Sequence, residues 1–235
     1  MPDQEKISSR NQKVKLKKNR GRTLSSKTWL ERQLNDPYVR EAKKLGYRSR
    51  AAFKLIELNE KFNFLKEELR VVDLGAAPGG WTQIVAQKVN TSLPNSQIIG
   101  IDLLKMDPIQ GTTLILGDFT EEETVNSIKT LLNGPVDLVL SDMAPSTTGH
   151  KKTDHVRIIG LIESAFFFAQ EVLKEDGCFV AKVFQGGAES SFLKVLKKSF
   201  GCVKHFKPNS SRKESSELYL VAQNFKKEIN KNNML

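Results

Sequence analysis

The run Arg70-Val71-Val72-Asp73-Leu74-Gly75-Ala76-Ala77-Pro78-Gly79-Gly80-Trp81 carries an apolar strand straight into a glycine-rich turn. A buried strand opening onto such a turn, with a helix behind it, lets backbone amides approach a nucleotide-like ligand without interference from a Cβ. The helix is expected to start near Gly80 and to carry Trp81, Ile84, Val85 and Val89 at helical spacing. Three kinds of nucleotide site open in this way. A phosphate-binding loop reads G-x-x-x-x-G-K-[ST], and Gly75 to Thr82 fits that frame except that Trp81 stands where the lysine must be. Without that charge nothing holds terminal phosphates, which argues against ATP or GTP. The G-x-G-x-x-G of dinucleotide enzymes is absent too, because Ala77 replaces its second glycine. What remains is Asp-x-Gly-x-x-x-Gly-Gly, the form typical of S-adenosylmethionine sites. A plain glycine turn in any α/β enzyme stays open as the alternative.

Beyond this turn, strands and helices alternate. Strands are expected near 70–75, 97–103, 112–117, 136–142 and 177–184, with final ones near 202–207 and 217–225. Helices are expected over about 50–62, 80–90, 120–132, 153–174 and 188–199, the first capped by Ser49 and presenting Ala52, Leu55, Ile56, Asn59 and Phe62 inward. Such alternation implies a doubly wound parallel sheet with helices on both faces. Pro208 to Glu214 is too short and polar for a helical crossover, so the last two strands should form an antiparallel hairpin at the sheet edge. The expected fold is therefore α/β, the Rossmann-like class I S-adenosylmethionine-dependent methyltransferase type, seven-stranded and mostly parallel with an antiparallel terminal hairpin.

The 235 residues suit one sizeable domain with extensions. We divide them into a basic, disordered tail over 1–27, a methyltransferase domain over 28–225 and a polar tail over 226–235. No apolar run approaches the ~20 residues of a membrane span, and no secretory signal is visible. Cys178 and Cys202 form no metal-like spacing and His150, His155 and His205 are scattered, so no metal site is expected and a reduced, cytoplasmic setting is. The net charge of +10 is localised: residues 1–50 hold 15 Lys and Arg against 5 Asp and Glu, leaving 22 of each sign elsewhere. A block such as Lys13-Val14-Lys15-Leu16-Lys17-Lys18-Asn19-Arg20-Gly21-Arg22 repels itself unless it meets a polyanion. A solvated tail and a mitochondrial presequence are alternatives; clustered phosphate-neutralising charge favours RNA. Residues 28–47 mix Trp29, Leu30, Leu34, Tyr38 and Val39 with Arg32, Arg40, Lys43 and Lys44, as a basic segment docked on the domain would.

In a doubly wound sheet ligands bind beyond the carboxyl ends of the strands. Asp73, Asp102, Asp118 and Asp142 all fall there. Asp102 is placed to accept hydrogen bonds from both hydroxyls of a cofactor ribose, and Asp118 from the adenine amino group. Each alone is an ordinary cap or turn residue; four on successive strands point to a ligand. Lys182 lies within Cys178-Phe179-Val180-Ala181-Lys182-Val183-Phe184, a strand otherwise wholly apolar. Lysine is rarely buried unpaired, although a snorkelling residue at a strand end gives the same pattern. Desolvation and a neighbouring cation both lower a lysine's pKa, which suits it to general-base work.

Lys54 in Tyr47-Arg48-Ser49-Arg50-Ala51-Ala52-Phe53-Lys54-Leu55, Asp142 in Ser-Asp-Met-Ala-Pro, Lys182 in Lys-Val-Phe-Gln-Gly and Glu217 in Ser215-Ser216-Glu217-Leu218-Tyr219 match a Lys-Asp-Lys-Glu tetrad. With it the chain, from about Thr28 to Phe225, resembles the FtsJ/RrmJ family of ribosomal RNA 2′-O-ribose methyltransferases. Trp29 to Val39 resembles the bacterial branch, which modifies a uridine ribose of the large subunit. The resemblance implies Lys182 as base, Lys54 and Glu217 as its supports, and Asp142 bridging the catalytic lysine and the cofactor. Gly75, Pro78, Gly79 and Trp81, with Asp102 and Asp118, are then the expected contacts of S-adenosylmethionine, and the chemistry needs no metal. Its implied partner is ribosomal RNA within the large subunit, with the enzyme a monomer. Transfer RNA and messenger-RNA cap enzymes share the tetrad. A ribosome assembly factor that binds RNA without chemistry is the alternative of another class.

Overall fold

The structure, a computed structural model, describes residues 15, 24–145, 151–184 and 190–227. Most of the basic block over 13–22, the first two residues of the helix expected over 188–199, and the chain beyond 227 lie outside the described residues. Along the chain run α1 (Leu24–Asn35), α2 (Pro37–Lys44), α3 (Ala51–Phe62), β1 (Arg70–Leu74), α4 (Gly80–Lys88), β2 (Gln97–Asp102) and β3 (Thr113–Leu116). They are followed by α5 (Glu122–Leu131), β4 (Val136–Ser141), α6 (Lys151–Val172), β5 (Leu173–Phe184), α7 (Ser190–Ser199), β6 (Phe200–Phe206) and β7 (Glu217–Phe225).

The seven strands form one sheet in the order β3-β2-β1-β4-β5-β7-β6. The first five are parallel to one another, while β7 runs antiparallel between β5 and β6. The terminal hairpin is thus present, but its second strand is inserted in the sheet and its first, β6, forms the edge. Side-chain alternation sorts each strand between two cores. Val72, Leu74, Val139, Phe179, Ala181 and Leu220 pack with α5, α6 and α7. Val71, Leu138, Leu140, Val180, Tyr219 and Val221 pack with α3 and α4.

The basic segment expected over 28–47 folds as two helices, and α1 begins at Leu24, ahead of the expected boundary at 28. Asp36 caps α2, accepting from the Tyr38 amide at 3.0 Å, and Pro37 takes the first helical position. At α3 the residue preceding the helix is Arg50, without a capping side chain, while Ser49 Oγ accepts from Ala51 N at 3.2 Å. The inner stripe of α3 is Ala52, Leu55 and Leu58, so it is rotated slightly from the expected one; Ile56, Asn59 and Phe62 are half-buried. Asn59 has another task, accepting from Leu65 N at 2.7 Å and turning the chain toward β1. No helix among the described residues is long and apolar enough to cross a membrane.

Candidate active site

The glycine turn leaves β1 beside the end of β4, and its glycines are explained by what crowds them. A Cβ on Gly75, whose φ is +75°, would lie 2.7–2.9 Å from side-chain and backbone atoms of Met143. One on Gly79, at φ +101°, would meet Arg48 and Ile109 at 3.0 Å, and one on Gly80 would meet Ser49 Oγ at 2.2 Å. The turn's amides are used internally as well. Gly75 N and Ala76 N donate to Ile101 O, Ala77 N to Asp102 Oδ2 and Gly79 N to Ala76 O. The turn is thus braced by its own hydrogen bonds, its glycines permit close packing of three chain segments, and it lines the neighbouring cavity through Gly75 and Ala77.

A cavity of about 740 Å³ opens at this end of the sheet, lined among others by Gly75, Ala77, Asp102, Asp118, Asp142 and Met143. Its size falls within the roughly 300–1,000 Å³ of small-molecule sites. Asp102 accepts from Ala77 N at 2.9 Å on one oxygen and from Leu104 N at 2.8 Å on the other. A carboxylate has about four acceptor directions, so each oxygen retains one for a diol. Asp118 accepts from both the amide and the hydroxyl of Thr120 through Oδ1, and these bonds hold its carboxyl below the usual range. The donor set fits a nucleoside: two carboxylates on neighbouring strand ends, with apolar Leu103, Leu104 and Phe119 around them.

Three of the expected cofactor contacts do not line this cavity. The Trp81 side chain is only 2% exposed, donates Nε1 to Ala51 O at 2.8 Å and packs on Tyr219 with centroids 5.4 Å apart. Its large apolar ring anchors α4 on α3, and it is absent from the cavity lining, as are Pro78 and Gly79. Asp73 also faces away from the ligand space. It is wholly buried, accepts from Thr82 Oγ1 at 2.7 Å, and has no partner on Oδ1. Burial pushes its carboxyl up to about 7, against the opposing hydrogen bond from Thr82. Arg157 on α6 adds a cation to the cavity lining that the sequence did not single out.

The four tetrad residues do meet. Lys54 Nζ lies 2.7 Å from Glu217 Oε1, and Lys182 Nζ lies 3.1 Å from Asp142 Oδ1. Lys182 also donates to the backbone carbonyl of Asp142 and is 8% exposed. Between the two ion pairs stands Tyr219, whose hydroxyl accepts from Lys54 Nζ at 3.1 Å and donates to Asp142 Oδ1 at 2.8 Å, with Glu217 Oε1 3.3 Å away. Burial works against the Asp142 carboxylate, but the ammonium groups of Lys182 and Lys54 and the Tyr219 hydrogen bond outweigh it and lower its pKa. Burial, then the carboxylates of Asp142 and Glu217, raise the Tyr219 phenol well above its ordinary value. It remains a neutral donor.

Register explains the convergence. Lys182 stands directly opposite Tyr219 across the β5–β7 ladder, and Phe184 opposite Glu217. Directly opposed residues present their side chains on one face, as do residues two apart along a strand. Lys182, Tyr219 and Glu217 therefore share the face covered by α3, which supplies Lys54. Tyr219 was missed because it reads as one more apolar strand residue. Its parity with Glu217 was the available signal.

Residues 47–225 match the model of the FtsJ-like methyltransferase family. The chain is 56% identical over 220 residues to the ribosomal RNA large subunit methyltransferase E of Paramagnetospirillum magneticum, covering 93% of this chain and 90% of that protein. Identity to the protein of the same name from Gluconobacter oxydans is 54% over 220 residues, 94% of this chain and 80% of the relative. The crystal structure of a ribosomal RNA methyltransferase from Plasmodium falciparum superposes with a TM-score of 0.66 at 35% identity, over 76% of this chain and 98% of that one. With a cavity at the strand ends, a tetrad beside it and a family match spanning both, the chain belongs to the FtsJ-like methyltransferases.

Proposed function

We propose that this methyltransferase modifies the 2′-oxygen of a uridine ribose in large-subunit ribosomal RNA, with Lys182 as general base. The carrying observation is that Lys54, Asp142 and Glu217 converge on the Tyr219 hydroxyl beside the cavity while Lys182 pairs with Asp142. The names of the two bacterial relatives support the RNA class and subunit. The cofactor is S-adenosylmethionine, which supplies a methyl group on a positively charged sulfur, ready for in-line displacement. Asp102 and Asp118 would hold its ribose and adenine, and Asp142 its amino-acid end.

A ribose hydroxyl is a poor nucleophile at neutral pH, so the chain has two services to perform. Alignment of two bound reactants contributes roughly 7–11 kcal/mol. Lys54, held by Glu217 and Tyr219, orients the hydroxyl. Proton removal contributes roughly 10²–10⁴ in rate. Lys182, acting as the free amine, takes that proton on Nζ and becomes the ammonium held by both the carboxylate and the carbonyl of Asp142. The tetrad's own hydrogen bonds keep all four groups in place before substrate arrives, which limits reorganisation during the reaction.

Lys182→Ala should lower single-turnover methyl transfer to ribosomal RNA by about 10²-fold or more while cofactor binding persists. Full activity in that variant removes the base assignment. The target is read by mass-spectrometric mapping of ribose methylation in cells with and without the gene. A lost mark in transfer RNA would redirect the substrate assignment. No lost mark, with an unmutated protein inert on every ribosomal substrate, would favour an RNA-binding assembly factor.

A further inference from the structure

Outside the tetrad and Tyr219, a heavily committed polar side chain is that of Arg48, between α2 and α3. Its guanidinium donates from Nη1 to Asp107 O at 2.7 Å and to Pro78 O at 3.5 Å, and from Nη2 to Pro108 O at 2.7 Å. Those carbonyls belong to two separate segments. Pro78 lies in the glycine turn, while Asp107 and Pro108 lie in the connection from β2 to β3. The Arg48 stem passes over Gly79, where a Cβ would be 3.0 Å from its Cδ, and Ile109 reaches the same spot from the other side. The Arg48 backbone is held too: its amide donates to Gln83 Oε1 at 3.0 Å, and Gln83 Nε2 donates to Gly46 O at 2.9 Å.

These segments supply two of the walls of the cavity. Gly75 and Ala77 come from the turn, and Asp102, Leu103 and Leu104 from the start of the connection after β2. Leu103 and Leu104 are 66% and 68% exposed, so little of the body of the protein backs that wall. It is tied at its near end by the Ala77–Asp102 hydrogen bond and at its far end by Arg48. A planar fork with several donors can span carbonyls of two segments at once, which a lysine ammonium does less well.

We propose that Arg48 is a positioning residue for the cofactor: it clamps the β2–β3 connection to the glycine turn and so fixes the spacing of the cavity walls around Asp102. It touches neither the cofactor nor the reacting atoms. The inference rests on the reading that the cavity holds the nucleoside of S-adenosylmethionine with Asp102 at its ribose.

The test combines calorimetric titration of S-adenosylhomocysteine with steady-state KM values for S-adenosylmethionine and for ribosomal RNA, on Arg48→Gln and Arg48→Lys. Loss of two charge-assisted hydrogen bonds should weaken S-adenosylhomocysteine binding and raise the donor KM by about tenfold. At saturating donor, kcat should stay within about twofold, because binding of ground and transition states is affected alike, and the RNA KM should not change. Arg48→Lys keeps charge and stem, so it guards against a folding defect, and it should still lose several-fold in donor affinity. Wild-type cofactor affinity in both variants overturns the proposal. So does a raised RNA KM with an unaltered donor KM, which would make Arg48 a phosphate contact. A lowered melting temperature with unaltered donor KM overturns it as well, leaving only a structural tie. Asp102→Ala separates the two levels. If it binds S-adenosylhomocysteine like the wild type, the ribose assignment falls; if it binds weakly while both Arg48 variants bind normally, only the clamp falls.

Discussion

Two buried carboxyl groups on neighbouring strands show how environment sets the behaviour of one residue type. Asp142 faces two ammonium groups and ionises more readily than usual, whereas burial away from cations raises Asp73 to about 7. The signs of their effects on stability are opposite. Asp142, with its folded pKa depressed, contributes stability above the ordinary carboxylate range that is lost as pH falls through the folded value. Asp73 retains its proton in the folded state over a window where the unfolded chain has released it. Stability therefore falls as pH rises from about 4 through about 7. Asp73→Asn abolishes that slope and still accepts from Thr82. Relative to the wild type it should gain roughly 1–4 kcal/mol between pH 4 and pH 8, measured by denaturant unfolding at a series of pH values. An unchanged slope would mean that Asp73 is ionised throughout.

At the level of helices, strands and turns, periodicity located most of the fold, and departures have local causes. In α3 the bounds follow from the spacing of Ala52 and Leu55, but the inward stripe takes Leu58 because Asn59 is occupied with the amide of Leu65. The helices α1 and α2 were legible only as a basic docked segment, since closely spaced charges mask the apolar period. The Asp36-Pro37 start of α2 was nonetheless a readable cap. Asp142 and Lys182 were legible from the strand pattern and Lys54 and Glu217 only from motif resemblance, and register explains their meeting. Trp81 reads in one dimension as a ligand-facing residue after a glycine turn, while in three its indole is the contact between α3 and α4. Two glycines test the packing account with opposite signs. Gly75→Ala adds a Cβ against the Met143 backbone at positive φ and should destabilise by about 2 kcal/mol or more. Gly160→Ala, in open space on α6, should stabilise by about 0.5–1 kcal/mol. Thermal unfolding of both variants reads the pair, and equal effects would refute the distinction.

Taken as a whole, the molecule is electrically lopsided: its entire positive surplus lies in the first 50 residues, around α1, α2 and the chain before them. Deleting residues 1–22 should weaken RNA binding and flatten its dependence on salt, because each phosphate neutralised contributes about 0.7–0.9 to the logarithmic slope. Filter binding across a salt series measures this, and an unaltered slope would make those residues bystanders. The insertion of β7 between β5 and β6 has a further consequence for synthesis. That strand brings Glu217 and Tyr219, and it is the sole partner of β6 in the sheet. A nascent chain halted just short of it would have the residues that line the cavity, an incomplete tetrad and an orphaned edge. The cavity lining is thus supplied by chain made before β7, whereas the Glu217 and Tyr219 contacts to the tetrad and the strand that pairs with β6 arrive together.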